Sequence, residues 1–185
     1  MKLIDNFLPR FRDFQNLLVS GEFTDVQNPA DQVTYPHILT DIPQELQDLV
    51  VMAIEQAIGQ KIKDPIIFIR RSPKGSYAPH IFHNDSIMGE MSLMVYFDSK
   101  PGFGTGFCRH KSTGLDRPDD KPENLQQFRA DANDKAKWLV KKRTQAAPNR
   151  AVIFDSSLFH CALPIGGFGE GVNARTVLTC FFNRD

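Results

Sequence analysis

Cysteine is scarce in this chain, with three in 185 residues, at Cys108, Cys161 and Cys180. So few, so widely spaced, they offer neither a disulfide scaffold nor a zinc site. The odd count favours a reducing compartment. An excess of charge of one sign is also missing. Lys plus Arg number 22 and Asp plus Glu number 22, so no global basic footprint for nucleic acid exists. Long apolar runs are absent, which excludes a membrane-spanning helix of roughly 18 or more residues. The opening MKLIDNFLPRFRDF carries charges at Lys2 and Asp5 and lacks the apolar stretch of a secretory leader. No internal repeat or low-complexity linker breaks the chain. The expectation is a single domain over residues 1–185, large enough for a real core and cytoplasmic.

Phenylalanine is abundant, at 15, which suits a β-rich core. The period of the pattern changes along the chain. Residues 1–60 read as helical. Pro9 suits a first turn, Phe11, Phe14 and Leu18 follow at helical spacing, and Gly21 can terminate. Residues 22–40 look irregular. Asp41 is a candidate cap for a second helix, whose stripe is Leu46, Leu49, Val50, Ala53, Ile54, Ala57 and Ile58, with Gly59 as its stop. From residue 65 short strands take over, at 65–70, 91–97, 105–110, 151–155, 159–163 and 175–182. Gly and Pro punctuation between them argues for a sandwich or barrel of the jelly-roll type. The core is thus expected at 65–115 and 149–185. The segment 116–148 interrupts it as a helical insertion, with Leu125, Phe128, Ala132, Ala136 and Leu139 on one face.

His83-Asn84-Asp85, then His160, then Arg175, is the pattern that carries chemistry. Residues i and i+2 of a strand share a face, so His83 and Asp85 can present both side chains to one ion, and a turn can do the same. His160 follows a later strand and supplies a third donor. Two imidazoles and one carboxylate suit Fe(II) on one face. His-x-Asp alone is weak, since chance gives roughly 0.4 matches in a chain of this composition. Taken singly, His160 is more often a hydrogen-bonded core residue, Asp85 a turn cap and Arg175 an ordinary strand residue. Their order and their strand context make the conjunction informative.

With these residues in place, the chain resembles the 2-oxoglutarate- and Fe(II)-dependent dioxygenase superfamily, in its prolyl-4-hydroxylase-like branch. The resemblance covers most of the chain and is strongest over residues 77–98 and 149–183. Residues 81–85 and 91–98 match the first ligand pair and the strand after it. Residues 149–160 match the strand leading to the distal histidine, and residues 174–182 match the last strand with its basic residue. Residues 3–9, 35–36 and 104–114 resemble a bacterial and phage-type subgroup whose pattern specifies no substrate. The resemblance implies a double-stranded β-helix (jelly roll, cupin-like), mainly β with flanking helices, and N-terminal helices packed on the outer sheet. It implies that His83, Asp85 and His160 ligate Fe(II), that Arg175 binds the distal carboxylate of 2-oxoglutarate, and that Tyr96 hydrogen-bonds the same group. Two departures stand out. His80 occupies a position where many such proteins have Tyr, and Arg175 stands where many have Lys. A guanidinium suits bidentate capture of a carboxylate.

The implied reaction consumes O2 and 2-oxoglutarate, releases succinate and CO2, and hydroxylates a C–H bond of a small-molecule or peptidyl substrate, with ascorbate as an optional accessory. The carboxylate ligand Asp85 argues against halogenation. Residues 116–148 are a candidate lid. Lys135, Lys137, Lys141, Lys142 and Arg143 surround Trp138 there, as a surface for an acidic or aromatic substrate or, with better odds, a solvated helix face with Trp138 packed on the barrel. Two other readings remain at this point. One is a cupin-type metalloenzyme independent of 2-oxoglutarate. The other is a non-catalytic jelly-roll binding module. A cysteine enzyme fits least, because Cys161 and His160 are neighbours on a strand and face opposite ways.

Overall fold

Two antiparallel sheets organise the chain in the computed structural model, which describes residues 1–29 and 32–185. The major sheet has seven strands in the order β1-β8-β5-β10-β4-β3-β2. These are β1 (Lys2–Ile4), β2 (Thr24–Gln27), β3 (Thr34–Leu39), β4 (Ile62–Ser72), β5 (Met91–Tyr96), β8 (Arg150–Asp155) and β10 (Arg175–Arg184). The minor sheet has three, in the order β7-β6-β9, formed by β6 (Gly104–His110), β7 (Trp138–Gln145) and β9 (His160–Leu163). The helices are α1 (Phe11–Ser20), α2 (Gln44–Ile58) and α3 (Pro122–Asp131).

Strand alternation sorts the side chains into layers. Leu93, Val95, Ile153, Leu178 and Cys180 point to one face of the major sheet, where Phe14 and Leu18 of α1 and Val50, Ala53 and Ile54 of α2 close over them. Each such Leu, Ile or Phe contributes about 1.5–3 kcal/mol by leaving water. The opposite face carries Tyr96, Val152, Phe154 and Val177, packed on Phe103 and Phe107 at the minor sheet. Beyond the minor sheet, Phe128 of α3 covers Cys108, Trp138, Phe159 and Cys161. The architecture is therefore the expected jelly roll, with the N-terminal helices on the outer face of the major sheet. No helix among the described residues is long and apolar enough to cross a membrane.

The α2 stripe and its stop stand as expected, with Gly59 left-handed at φ 78° and its N–H donating to the Glu55 carbonyl at 2.8 Å. The cap differs. The helix begins after Pro43, whose ring presets the backbone dihedral, and no side chain caps it, so Asp41 lies outside the helix. The α1 helix begins at Phe11, so Pro9 precedes its first turn.

Two larger expectations are corrected. Residues 22–40 hold β2 and β3 rather than irregular chain, and β1 adds a third strand to the segment read as helical. Ala30 and Asp31 lie outside the described residues. Ile38 and Leu39 of β3 pair with Arg70 and Ile69 of β4. An edge supplied by tertiary structure recruits a segment with little strand pattern of its own. The insertion 116–148 is not helical throughout. Its second half forms β7, paired with β6 from His110↔Trp138 to Gly104↔Gln145. Trp138 is buried while Leu125 and Leu139 face water, so the apolar face drawn for one helix does not exist. Lys141, Lys142 and Arg143 lie on an edge strand, where exposed charge guards against further pairing.

Candidate metal centre and anion pocket

The sheet itself brings His83 and His160 together. His83 forms an isolated antiparallel bridge to the start of β9, its N–H donating to the His160 carbonyl at 3.1 Å and its carbonyl accepting from the His160 N–H at 2.8 Å. The two rings stand 4.5 Å apart between centroids. Phe159 turns outward beneath α3, so alternation turns His160 inward, opposite Phe107 of β6. After His83 the chain leaves the ladder. The Asn84 carboxamide oxygen accepts from Ser86, at 3.2 Å from its N–H and 2.6 Å from its hydroxyl, and shapes a turn. The Asp85 N–H donates to the Ser156 carbonyl at 2.8 Å, which pins the carboxylate beside the histidines.

One donor atom from each of His83, Asp85 and His160 lies within 4.8 Å of the others. Asp85 Oδ2 is 3.1 Å from His160 Nε2, and Oδ1 is 3.6 Å from His83 Nε2. Neither approach satisfies a hydrogen bond. His83 Nδ1, Asp85 Oδ2 and His160 Nε2 are all buried without a hydrogen-bond partner. The other nitrogen of His160, Nδ1, sits 2.9 Å from the Leu158 carbonyl. A carbonyl only accepts, so Nδ1 bears a proton, and in the neutral tautomer the Nε2 lone pair is the one turned toward Asp85. Support of the second nitrogen by a carbonyl is the usual arrangement of a metal-binding imidazole. Unsatisfied buried polar atoms cost about 1–3 kcal/mol each, and a cation between Asp85 Oδ2 and His160 Nε2 would relieve both, with His83 Nε2 turned toward the same carboxylate. The donor set therefore fits a divalent metal.

Electrostatics agree. Burial, with His160 nearby, pushes His83 down to about 4, so its ring is neutral at physiological pH. Burial raises the Asp85 carboxyl, but the two imidazoles and Arg70 outweigh it and hold Asp85 below the ordinary carboxylate value. His160 is pulled down by burial and pushed up more strongly by Asp85, the response of a ring facing a carboxylate without a cation between them.

Arg175 opens β10 and is 4% exposed. Its Nε donates to the Leu163 carbonyl at 3.2 Å and one terminal nitrogen to the Gly104 carbonyl at 3.4 Å, with the guanidinium 5.1 Å from the Phe103 ring centre. Among the described residues no carboxylate lies within 4.0 Å of it. Burial lowers it to about 10, so it stays charged. Glycine is required at 104, because a Cβ there would meet the Thr144 carbonyl oxygen at 1.7 Å. Tyr96 is fully buried. Its hydroxyl lies 2.8 Å from Thr105 Oγ1 and 2.7 Å from Thr144 Oγ1, and burial raises its pKa. Arg175 and His83 line one cavity, together with Arg70, Ser72, Ile81 and Ala162.

Sequence reasoning passed over Arg70. The signal was its parity in the run Ile-Ile-Phe-Ile-Arg-Arg, where one arginine must face inward. His80 is exposed and stands apart from the donor cluster. Cys108 and Cys161, distant in sequence, have sulfurs 3.8 Å apart on the outer side of the minor sheet, away from the cavity.

No protein-family profile matches the chain, and no curated protein matches it in sequence. Solved structures do. A prolyl hydroxylase from Trichoplax adhaerens, in complex with a hypoxia inducible factor peptide fragment, superposes with a TM-score of 0.57 at 16% identity, over 98% of this chain and 82% of that one. A prolyl-4-hydroxylase from Pseudomonas putida gives 0.53 at 19%, over 100% and 92%. This chain has the prolyl hydroxylase-like oxygenase fold. A non-haem α-ketoglutarate-dependent carbocyclase of nogalamycin biosynthesis shares it too, with a TM-score of 0.58 at 14% identity, over 99% and 78%. The fold thus hosts different chemistries, and the residues in the cavity must decide which applies.

Proposed function

We propose that the chain is a non-haem Fe(II)- and 2-oxoglutarate-dependent oxygenase that hydroxylates a C–H bond of a small-molecule or peptidyl substrate, with release of succinate and CO2. One observation carries the reading. Three donors converge within 4.8 Å with buried atoms that lack partners, and one of the three residues, His83, lines a pocket with a buried guanidinium that lacks a counter-ion. His83, Asp85 and His160 would hold the iron, which when bound supplies the oxidising chemistry with O2 and 2-oxoglutarate. Arg175 would bind the distal carboxylate of the co-substrate, oriented by the Leu163 and Gly104 carbonyls. Such charge-assisted contacts contribute about 1.5–3 kcal/mol. Tyr96, whose hydroxyl sits between Thr105 Oγ1 and Thr144 Oγ1, would hydrogen-bond the same carboxylate. A metalloenzyme that does not use 2-oxoglutarate would leave the Arg175 charge without a purpose.

The test is anaerobic titration of Fe(II) and 2-oxoglutarate into the purified protein, followed by the metal-to-ligand charge-transfer absorption in the visible. The expected result is a band that is lost in His160→Ala and weakened in Arg175→Met. Absence of the band from the wild-type protein would overturn the assignment.

A further inference from the structure

Arg70 is the second guanidinium in the cavity, and nothing in the proposed co-substrate scheme uses it. In register, Arg70 faces Val177 of β10, and Val177 faces Tyr96 of β5. All three lie in one row on the inner face. Arg175, opposite Ser72, is therefore the diagonal neighbour of Arg70 on that face, about 7–8 Å away by strand geometry. The next residue shows the contrast. Arg71 turns to the outer face, lies 3.7 Å from the Phe23 ring centre and donates to the Leu18 carbonyl at 2.5 Å. Arg71 has a structural role, whereas Arg70 has no such anchor. Its Nε is buried without a hydrogen-bond partner, and among the described residues no carboxylate lies within 4.0 Å of its guanidinium. Its ring contact is with Tyr35, at 5.6 Å.

Buried charges persist in folded proteins when something pairs with them. The charge count of the cavity shows what is lacking. A divalent metal, two guanidiniums and the Asp85 carboxylate carry three net positive charges. Dianionic 2-oxoglutarate, one carboxylate on Arg175 and the other toward the metal, leaves one positive charge uncompensated. Arg70 lines the same cavity as His83, one of the three proposed ligands of the iron.

We propose that Arg70 is a specificity residue that pairs with a carboxylate of the substrate, and that the substrate class is therefore carboxylate-bearing. That carboxylate is either the α-carboxylate of a small molecule or the acidic side chain of a peptide. The inference rests on the oxygenase reading and narrows it. A bidentate arginine contact rewards the planar carboxylate over the isosteric amide. The free acid is therefore expected to bind at least about tenfold more tightly.

The test uses the full chain loaded with 2-oxoglutarate and with Zn(II) as a diamagnetic stand-in for Fe(II), and reads binding by saturation-transfer NMR. One arm compares the N-acetyl amino acids with their N-methyl amides. The other compares the N-acetyl-N-methylamides of Asp and Glu with those of Asn and Gln. Preference for the acid in the first arm identifies a small-molecule carboxylate, and in the second an acidic side chain. Arg70→Gln should abolish the preference, Arg70→Lys should keep part of it, and 2-oxoglutarate affinity should change less than about threefold in both. Equal binding of acid and amide, no binding in either arm, or a preference that survives Arg70→Gln would overturn the proposal. So would a loss of 2-oxoglutarate affinity as large as the loss of preference, which would assign Arg70 to the co-substrate. A wild-type protein that forms the charge-transfer band yet shows no acid preference would sink this inference alone. One that forms no band would sink the oxygenase reading with it.

Discussion

Two histidines in this molecule are buried against aspartates, on opposite sides of the minor sheet. His110, 0% exposed, lies beneath α3 beside Asp131, and His160, 3% exposed, lies on the inner side beside Asp85. The aspartates are matched as well, at 17% and 14%. Burial and the presence of a carboxylate therefore do not tell the pairs apart. Completeness of bonding does. His110 Nε2 lies 3.0 Å from Asp131 Oδ2 and its Nδ1 lies 3.1 Å from Thr113 Oγ1, inside a cage of Phe128 and Trp138. Both nitrogens are used, and the residue ties α3 to the sheet. His160 uses one nitrogen and leaves the other unpaired, 3.1 Å from the unpaired Asp85 Oδ2. A finished polar network stabilises, while an unfinished one at a point of convergence is the arrangement that a bound ion would complete.

The sharpest way to break the comparison is to remove each ring. His160→Ala should lower Fe(II) affinity by more than the roughly 10–100-fold that loss of a supporting hydrogen bond alone produces. His110→Ala should leave metal affinity within about twofold and cost about 1–3 kcal/mol of stability by stranding Asp131. Metal titration and urea unfolding on both variants would reveal a reversed pattern if the roles were misassigned.

Acid titration of the metal-free protein probes the unfinished side next. His83 falls from 6.5 to about 4 on folding because of burial first and His160 second. The unfolded chain takes up that proton before the folded one does. Stability from His83 is therefore present above pH 6.5 and is lost as pH falls toward about 4, by up to about 3 kcal/mol. The raised pKa of His160 acts in the opposite sense, giving stability below its unfolded value that is lost as pH rises, and both proteins to be compared retain it. His83→Gln should flatten the decline of the urea midpoint between pH 7 and pH 4.5. Parallel curves would refute the assignment.

Arg175→Met should weaken 2-oxoglutarate by about 1.5–3 kcal/mol, roughly 10–150-fold, without loss of Fe(II) binding. Equal loss of both would make Arg175 a structural residue instead. Smallest of all, Tyr96→Phe should cost the co-substrate about 0.5–1.5 kcal/mol. Unchanged affinity in the same titration would confine the phenol to its two threonines.

Local pattern was a good guide wherever it determined structure. The stripe of α2, its Gly59 stop and the central strands β5, β8 and β10 were legible, because both their faces are apolar and their bounds are marked by Gly and Pro. Strands at or next to the sheet margins were not. The edges β1, β2 and β7, with β3 beside β2, owe their conformation to a neighbour's unpaired backbone, so Trp138–Gln145 passed for the end of a helix. At the site, the donors His83, Asp85 and His160 and the arginine at 175 were legible as an ordered set. Arg70 was not, since its meaning depends on which way β4 faces. Nor was the division of labour between His110 and His160, because bonding partners as distant as Asp131 and Asp85 are visible only once the chain has folded.

The bridge between residues 83 and 160 has a consequence for metal choice. Because two of the candidate donors belong to residues tied by reciprocal main-chain bonds, the spacing of the two Cα–Cβ stems is a property of the sheet, and only the ring rotamers remain to adjust the nitrogens. A metal that prefers a wider separation of the two stems would have to distort the ladder. Intrinsic affinity across the divalent series rises toward copper regardless of the protein. A pair of imidazoles on fixed stems is one means by which a chain can resist that order, so at the proposed centre the backbone would act as a gauge for the ion as well as a scaffold.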